Sequence, residues 1–412
     1  MDRVILHCDC NCFFASVELL SHPDLVHLPV AVCGDPNERH GIILAKNEPA
    51  KKLGIQTAET IWKARQKCPD LILLEPHYPL YEEYSRKINA IYNEYTDLVE
   101  PFGIDESWLD VTGSLHLFGG DAKVLADTIR SRIRDTFGLT ISVGVSFNKV
   151  FAKLGSDYKK PDATTVIARE NWKEIVFPLP MNDMLFVGRA ASSLLAKYGL
   201  YTIGDLAACS EEMMETLLGK NGLQILRYAR GEDDAPVVGS AEREEIKSVG
   251  NSTTFRKDLT TWEEVRDGIS ALSDSVATRL RRAGLYCGGV RIGIKNARFQ
   301  SLSRQKLLSH HTHLMKEIEQ AAMALMRETW KDHDPIRLLS VTATHLSHHL
   351  EDGGQLSLFA QKEQMDEKQE RVESAMESIR KKYGGGAISY SGTQKSLGAM
   401  PKGLDFEGEK EK

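Results

Sequence analysis

The first twenty residues, MDRVILHCDCNCFFASVELL (1–20), decide how the rest of the chain is read. Residues 3–8 (RVILHC) are short, apolar and rich in β-branching, which predicts a buried strand, and ASVELL begins a helix. Side chains alternate across a strand, so Cys8, Cys10 and Cys12 point to one face and His7, Asp9 and Asn11 to the other. One face of the first strand therefore presents a lone carboxylate, Asp9. Three cysteines on the opposite face suit a core better than a zinc site, because no second Cys/His cluster with zinc-type spacing accompanies them.

A second acidic feature lies about a hundred residues on. The segments LVEPFGI and SWLDVTG read as the arms of a hairpin, with Asp105 and Glu106 at its tip. Taken alone, such a pair is more often a solvated turn than a metal site. Carboxylates gathered in one place repel, however, and are kept together where a cation holds them. Hard oxygen ligands of this kind suit magnesium.

Composition bounds the alternatives. A chain of 412 residues exceeds what one hydrophobic core supports, so three or more domains are expected. With 42% hydrophobic and 27% charged residues it reads as globular, and no apolar run reaches the roughly 20 residues of a membrane span. The N-terminus lacks the pattern of a secretory signal, and seven scattered cysteines fit a reducing compartment, so the cytoplasm is the expected location. The net charge of −6 hides a local excess of base. Between Arg281 and Lys306 stand Arg281, Arg282, Arg291, Lys295, Arg298, Arg304 and Lys306, with no Asp or Glu. That run is the expected nucleic-acid footprint.

The remaining pattern falls into segments. A small mixed module covers Gly41 to Pro76, with a helix from about Asn47 to Gly54 that Asn47 would cap. A long amphipathic helix is predicted from Tyr78 to Leu98, and an α/β unit follows the hairpin. Residues 180–237 are helical throughout, and 238–247 read as a charged linker. Beyond it the order β-α-β-β-α-β predicts a split βαβ arrangement, followed by a charged helical stretch to Tyr383 and a Gly-rich end.

The sequence His7-Cys-Asp9-Cys-Asn-Cys-Phe13-Phe14-Ala-Ser-Val-Glu18, followed by Ile104-Asp105-Glu106-Ser-Trp-Leu-Asp110, strongly resembles the Y-family DNA polymerases of the DinB and UmuC type. Ser142-Val-Gly-Val-Ser-Phe-Asn148-Lys149-Val-Phe-Ala-Lys153 and Lys159-Lys160-Pro161 match further motifs in order, so the resemblance covers about residues 1–350. It implies an α/β multidomain right hand: a discontinuous palm (1–18 and 76–170), fingers (19–75), a helical thumb (171–237), the linker (238–247), a little finger (248–350) and a tail (351–412). The activity it implies is low-fidelity, template-directed DNA synthesis past lesions, with two Mg2+ ions per active site. Primed DNA and deoxynucleoside triphosphates would be the substrates and the enzyme would act as a monomer. A catalytically silent, polymerase-shaped DNA-binding accessory is the alternative, and the presence of all three carboxylates tells against it. A nucleotidyl cyclase on a related palm is disfavoured by the helical and basic domains.

Carried over residue by residue, Asp9, Asp105 and Glu106 would be metal ligands, joined by the backbone carbonyl of Cys10. Glu106 is usually given the active-site role. Asn11 stands where the family commonly has Asp. Phe14 occupies the position of the steric gate against a ribose 2'-hydroxyl, with Phe13, Lys51 and Lys160 at nucleotide-binding positions. Glu48 replaces a common tyrosine, and its i, i+4 spacing predicts a pair with Lys52 that turns it from the substrate. The stretch LFVGRAASSLLAKYGLYTIGDLA resembles a helix-hairpin-helix whose turn around Val187-Gly188-Arg189 lacks a second glycine. Phosphate contacts are expected from Arg291, Lys295, Arg298 and Arg304. Finally, Gln355-Leu356-Ser357-Leu358-Phe359 resembles the peptide that binds the bacterial sliding clamp.

Overall fold

The computed structural model describes residues 2–35, 41–239, 246–330, 334–348, 360–384 and 387–388. The described residues fall into two compact units, one ending before and the other beginning after residues 240–245.

In the first unit, strand β1 (Ile5–Cys10) is wholly buried and leads through a tight turn into α1 (Phe13–Leu19). Cys12 makes that turn with a left-handed backbone, φ 51°. A three-stranded sheet follows, with β2 (Val30–Cys33) between β3 (Ile43–Lys46) and β4 (Ile72–Leu74). Two short helices, α2 (Glu48–Lys52) and α3 (Ile61–Lys67), accompany it. Asn47 caps α2 as predicted, accepting from the Ala50 amide at 3.1 Å, and its Oδ1 also accepts from the Val30 amide at 3.0 Å.

Helix α4 covers Tyr78–Tyr92, shorter than predicted. The chain turns at Asn93 so that Tyr95 and Val99 join the same core as Ile88 and Tyr92. The hairpin forms from β5 (Val99–Pro101) and β6 (Glu106–Asp110), and β6 lies beside β1. Helix α5 (Ala122–Phe137), β7 (Ile141–Ser146), α6 (Lys149–Tyr158) and β8 (Thr164–Ile167) complete a sheet in the order β5-β6-β1-β7-β8.

The two faces of β1 separate as the alternation requires. Leu6, Cys8 and Cys10 pack with residues of α4 and α5, while Ile5 packs with Trp108 and Ala152 on the α6 side. Helix α6 comes unusually close to β7. A Cβ on Gly144 would collide with the Ala152 carbonyl, and one on Gly155 would lie 3.0 Å from the Gly144 Cα. Two glycines facing each other are what let this helix lie on the sheet.

Helices α7 (Trp172–Val176), α8 (Arg189–Ala196), α9 (Ile203–Ala208), α10 (Glu211–Leu218) and α11 (Lys220–Ala229) share a core with Phe147, Phe151 and Leu154 of the α6 region. In the turn before α8, Phe186 takes φ 69°, the left-handed conformation a glycine would favour.

The second unit is built on β9 (Ser248–Leu259), α12 (Trp262–Arg282), β10 (Tyr286–Asn296), β11 (Ser301–Thr312), α13 (Met315–Thr329) and β12 (Ile336–Ser347). The strand order is β11-β10-β12-β9, with every neighbouring pair antiparallel. Thus β12 splits the β9-α12-β10 unit and β10 splits the β11-α13-β12 unit, two interlocked split βαβ motifs. Helix α14 (Ala360–Tyr383) docks on this unit through charged pairs. Glu373 is buried against Arg281, accepting also from the Met315 amide at 3.1 Å, and Glu377 meets Arg282 at 2.7 Å. Arg380 lies 2.7 Å from Asp274. Arg281 and Arg282, expected in the nucleic-acid footprint, are therefore engaged by the last helix. Among the described residues no helix is long and apolar enough to cross a membrane.

Candidate active site

Pairing of β1 with β6 sets Asp9 directly opposite Glu106, and partners in an antiparallel ladder project to the same face. The Cys10 amide donates to the Asp105 carbonyl at 2.9 Å, fastening the hairpin tip to the end of β1. Three carboxylates thus gather where the end of β1 meets the start of β6, on inner strands of the sheet, with Asp9 buried and Asp105 and Glu106 half-buried.

Lys153, one turn into α6, reaches both sides of the cluster. Its Nζ lies 3.0 Å from Asp9 Oδ2 and 2.5 Å from Glu106 Oε2. Lys160 approaches Asp9 Oδ2 at 2.8 Å and Asp157 Oδ1 at 2.7 Å. These ammoniums outweigh burial at Asp9 and hold its carboxyl below the usual range. Burial, followed by the neighbouring Asp9, pushes Asp105 up. Burial also raises Glu106 in spite of Lys153, with Asp9 and Asp105 adding to the rise.

Behind them sits His7, fully buried. Its Nδ1 is 2.8 Å from Ser156 Oγ, whose hydroxyl donates to the Lys153 carbonyl at 2.8 Å. The Ser156 proton being used, Nδ1 carries the hydrogen and Nε2 is left as a bare acceptor, 3.4 Å from Glu106 Oε2 and without a hydrogen-bond partner. Burial, and then Lys153, keep the ring neutral by lowering its pKa.

This donor set fits a divalent cation. Hard carboxylate oxygens converge, two of the carboxyls are pushed toward protonation by burial and then by their acidic neighbours, and a cationic ammonium already bridges Asp9 and Glu106. Donor atoms of His7, Asp9 and Glu106 lie within 4.8 Å of one another. Asp105 is beside that cluster rather than in it.

Asn11, buried next to Asp9, works as a bracket. Its Nδ2 donates to Ser142 Oγ at 2.9 Å and its Oδ1 accepts from the Asp162 amide at 2.8 Å, tying the β1–α1 turn to the loop after Lys160. A carboxylate here could keep the first of these bonds only in reverse, by accepting from the Ser142 hydroxyl.

The aromatic position Phe14 is half-buried. Its ring lies flat against Tyr81, with centroids 4.1 Å apart and planes 10° apart, while Phe13 is buried behind the pair. On α2 the predicted pairing is corrected. Glu48 faces Lys51, Oε1 to Nζ 3.3 Å, and also accepts from the Cys12 thiol at 3.6 Å. With Lys51 one turn on and Cys12 in reach, Glu48 turns toward the α1 side rather than toward Lys52. Lys46, half-buried, donates to Thr57 Oγ1 at 2.9 Å, and burial lowers its pKa.

The expected phosphate-contacting residues divide. Arg291 and Lys295 alternate with the core positions Val290, Ile292 and Ile294, so they share the helix-free face of the second unit's sheet. Around them on that face stand Ser303, Ser340, Thr342 and Ser252, with Gly250, Gly289 and Gly293. Arg304 is paired with Ile292 and thus points to the opposite side. Arg298, in the β10–β11 turn, is 2.9 Å from Asp334. Gln355, Leu356, Leu358 and Phe359 lie outside the described residues.

In the sequence Lys153 stands within a family motif and carries no role of its own. The available signal was electrostatic, since three clustered acids demand a counter-charge and Lys153 stands three residues before Ser156 on one helix. In the sequence, Tyr81 and the Glu18 carboxylate behind it likewise carry no role.

Residues 8–157 match the impB/mucB/samB family, and residues 246–358 match the impB/mucB/samB family C-terminal domain. The chain is 45% identical over 384 residues to a DNA polymerase IV of Acetivibrio thermocellus, covering 93% of this chain and 96% of that one. It is 36% identical to the DNA polymerase IV of Bacillus velezensis (98% and 96% covered) and 35% identical to that of Clostridium kluyveri (94% and 97%). Among solved structures, a Y-family DNA polymerase chimera superposes with a TM-score of 0.72 at 23% identity, over 83% of this chain and 98% of the chimera.

Proposed function

The chain belongs to the impB/mucB/samB family and is a Y-family, DNA-directed DNA polymerase of the translesion class, and we propose that Asp9, Asp105 and Glu106 form its nucleotidyl-transfer site. The observation that carries this assignment is the opposition of Asp9 and Glu106 across β1 and β6, bridged by the Lys153 ammonium. Family membership brings divalent-metal dependence. The ions we assign are two Mg2+, held by the three carboxylates and the Cys10 carbonyl. When bound, such ions activate an attacking 3'-hydroxyl and stabilise the leaving pyrophosphate.

The protein's own groups do the rest. Lys160, already beside Asp9, Lys46 at the end of β3 and Lys51 in α2 meet the triphosphate of the incoming nucleotide. Phe14 excludes the ribose 2'-hydroxyl, and Phe13 fills the space behind it. Arg291 and Lys295 hold template–primer phosphates on a face of small hydroxyl and glycine residues where a DNA backbone can come close. Arg298 extends that contact at its margin from the β10–β11 turn, and Arg304, on the opposite side of the sheet, adds a weaker phosphate contact. In the turn around Val187-Gly188-Arg189 before α8, the amides of Gly188 and Arg189 give a further phosphate contact, the Val187 amide being held by the Met184 carbonyl. We assign palm, fingers, thumb, little finger and tail to residues 1–18 with 76–170, 19–75, 171–237, 248–350 and 351–412. The Gln355–Phe359 peptide is assigned to the sliding clamp, and the enzyme to the cytoplasm as a monomer. The silent-accessory alternative is not favoured.

Primer extension with magnesium tests the site. Asp105→Ala and Glu106→Ala should each abolish incorporation while the affinity for primed DNA, measured by anisotropy, stays within a few-fold. Turnover retained in both variants removes the assignment.

A further inference from the structure

The ring of Phe14 does not stand by its own rotamer alone. It lies on Tyr81 at 4.1 Å and 10°, closer and flatter than aromatic pairs usually adopt, since ring quadrupoles favour offset or edge-on contacts at roughly 4.5 to 7 Å. Something must fix the lower ring. Tyr81 is fully buried, and its hydroxyl donates to Glu18 Oε1. Glu18 is itself 5% exposed, and a carboxylate so buried is tolerated only with its oxygens satisfied. The His77 amide donates to Glu18 Oε1 at 3.1 Å, and His77 Nδ1 lies 3.0 Å from both oxygens. The His77 amide also reaches the Tyr81 hydroxyl at 3.1 Å.

The arrangement closes a triangle. Phe14 and Glu18 are four residues apart on α1 and share one side of it. Tyr81 comes from the first turn of α4, with His77 as that helix's N-cap residue. Glu18 therefore holds, through Tyr81, the surface against which Phe14 of its own helix rests. Rotation of the phenol away from Glu18 would leave the buried hydroxyl without an acceptor and strip Glu18 Oε1 of one of its donors. The stack thus inherits the stiffness of a charge-assisted hydrogen bond.

We propose that Glu18 is a positioning residue for sugar selection, holding Tyr81 flat beneath Phe14 so that the Phe14 ring stays where a 2'-hydroxyl would strike it. The inference rests on the assignment of Phe14 as the gate. A stiff ring rejects an extra hydroxyl sharply, whereas a ring free to tilt yields to it.

The test is the ratio of kcat/KM for a deoxynucleotide to that for the matching ribonucleotide, measured with the full chain and magnesium. Tyr81→Phe retains the ring and its volume but removes the tether, and should lower the ratio about tenfold, the scale of a lost hydrogen bond to a charged group. Glu18→Ala should do the same, and Glu18→Gln, whose amide oxygen still accepts from Tyr81, should restore most of it. In a double-mutant cycle, Glu18→Ala should add nothing once Phe14→Ala has removed the ring. If Phe14→Ala lowers the ratio but Tyr81→Phe and Glu18→Ala leave it unchanged while only lowering the melting temperature, Glu18 merely staples α1 to α4 and the proposal falls with the gate intact. Additive losses in the cycle overturn it equally. If Phe14→Ala itself leaves the ratio unchanged, the gate assignment fails and the proposal with it.

Discussion

Replacing Lys153 by methionine removes the cation that joins Asp9 to Glu106 and keeps a side chain of similar length. At an effective dielectric constant of about 20, each of its two contacts, 3.0 Å and 2.5 Å, represents roughly 5 to 7 kcal/mol of gross attraction. Most of that is offset by the desolvation of three charged groups. Removing one partner of a buried pair costs on the order of 3 kcal/mol, because the remaining charges are left facing each other. For a unit of roughly 150 to 250 residues, that is a fall in Tm of about 6 to 12 °C. The fall should appear in chelator, where only Lys160, beside Asp9, is left to offset the carboxylates. Millimolar magnesium or manganese should raise the Tm of the variant markedly more than that of the parent, since a metal now supplies the missing charge and the Lys153 ammonium no longer competes with it. Differential scanning fluorimetry across a metal series reads both effects. An equal metal-induced rise in parent and variant would refute the view that Lys153 occupies the place of a cation.

Three further outcomes follow from the geometry. Arg291→Ala and Lys295→Ala should each reduce the slope of log K against log salt for primed DNA by about one, and Arg304→Ala should change it less, because Arg304 faces the other side of the sheet; anisotropy titrations over a salt series decide this, and equal effects would contradict the register. Lys51→Ala should raise the KM for the incoming nucleotide several-fold and Lys52→Ala should leave it unaltered, with steady-state kinetics as the readout; the reverse order would restore the Glu48–Lys52 pairing. Replacing Leu358 and Phe359 together by Ala should remove stimulation by the sliding clamp while basal primer extension persists, and a parallel loss of both would point to a role in folding instead.

Much of the architecture was written in local pattern. The alternation along β1 correctly separated Cys8 and Cys10 from His7 and Asp9, but did not extend to Cys12, which lies past the strand's end in the left-handed turn and meets Glu48 instead of the core; Asn47 announced its helix. The order of elements in the second unit was readable as well. The split βαβ arrangement it predicted is the one found, but which strand enters between β9 and β10 was not legible, because β12 is far from both in sequence. The same limit explains the basic run. Counting charges from Arg281 to Lys306 registered seven cations, but the carboxylate that claims Arg281 lies 92 residues away in α14. At the site, the family motifs named the carboxylates, whereas Lys153 and Glu18 act through partners brought near only by the fold. The choice of Lys52 over Lys51 for Glu48 went wrong on a smaller scale. Both spacings are available on a helix, and the Cys12 thiol, from another element, draws Glu48 to one side.

The glycine pair beneath α6 changes how loss-of-function variants should be interpreted. Gly144 and Gly155 carry no chemistry and touch no substrate, yet any side chain at Gly144 must lift α6 from the sheet. That helix delivers Lys153 to Asp9 and Glu106 and Ser156 to His7. A displacement of about an ångström or more, which a Cβ at Gly144 needs to clear the Ala152 carbonyl, would leave the sheet folded and the carboxylates in place while parting them from their counter-charge. In a saturation screen scored by activity, these two glycines should therefore cluster with the catalytic acids, intolerant of even alanine. A map of such intolerance would trace the seat of the helix as sharply as the reaction centre it serves.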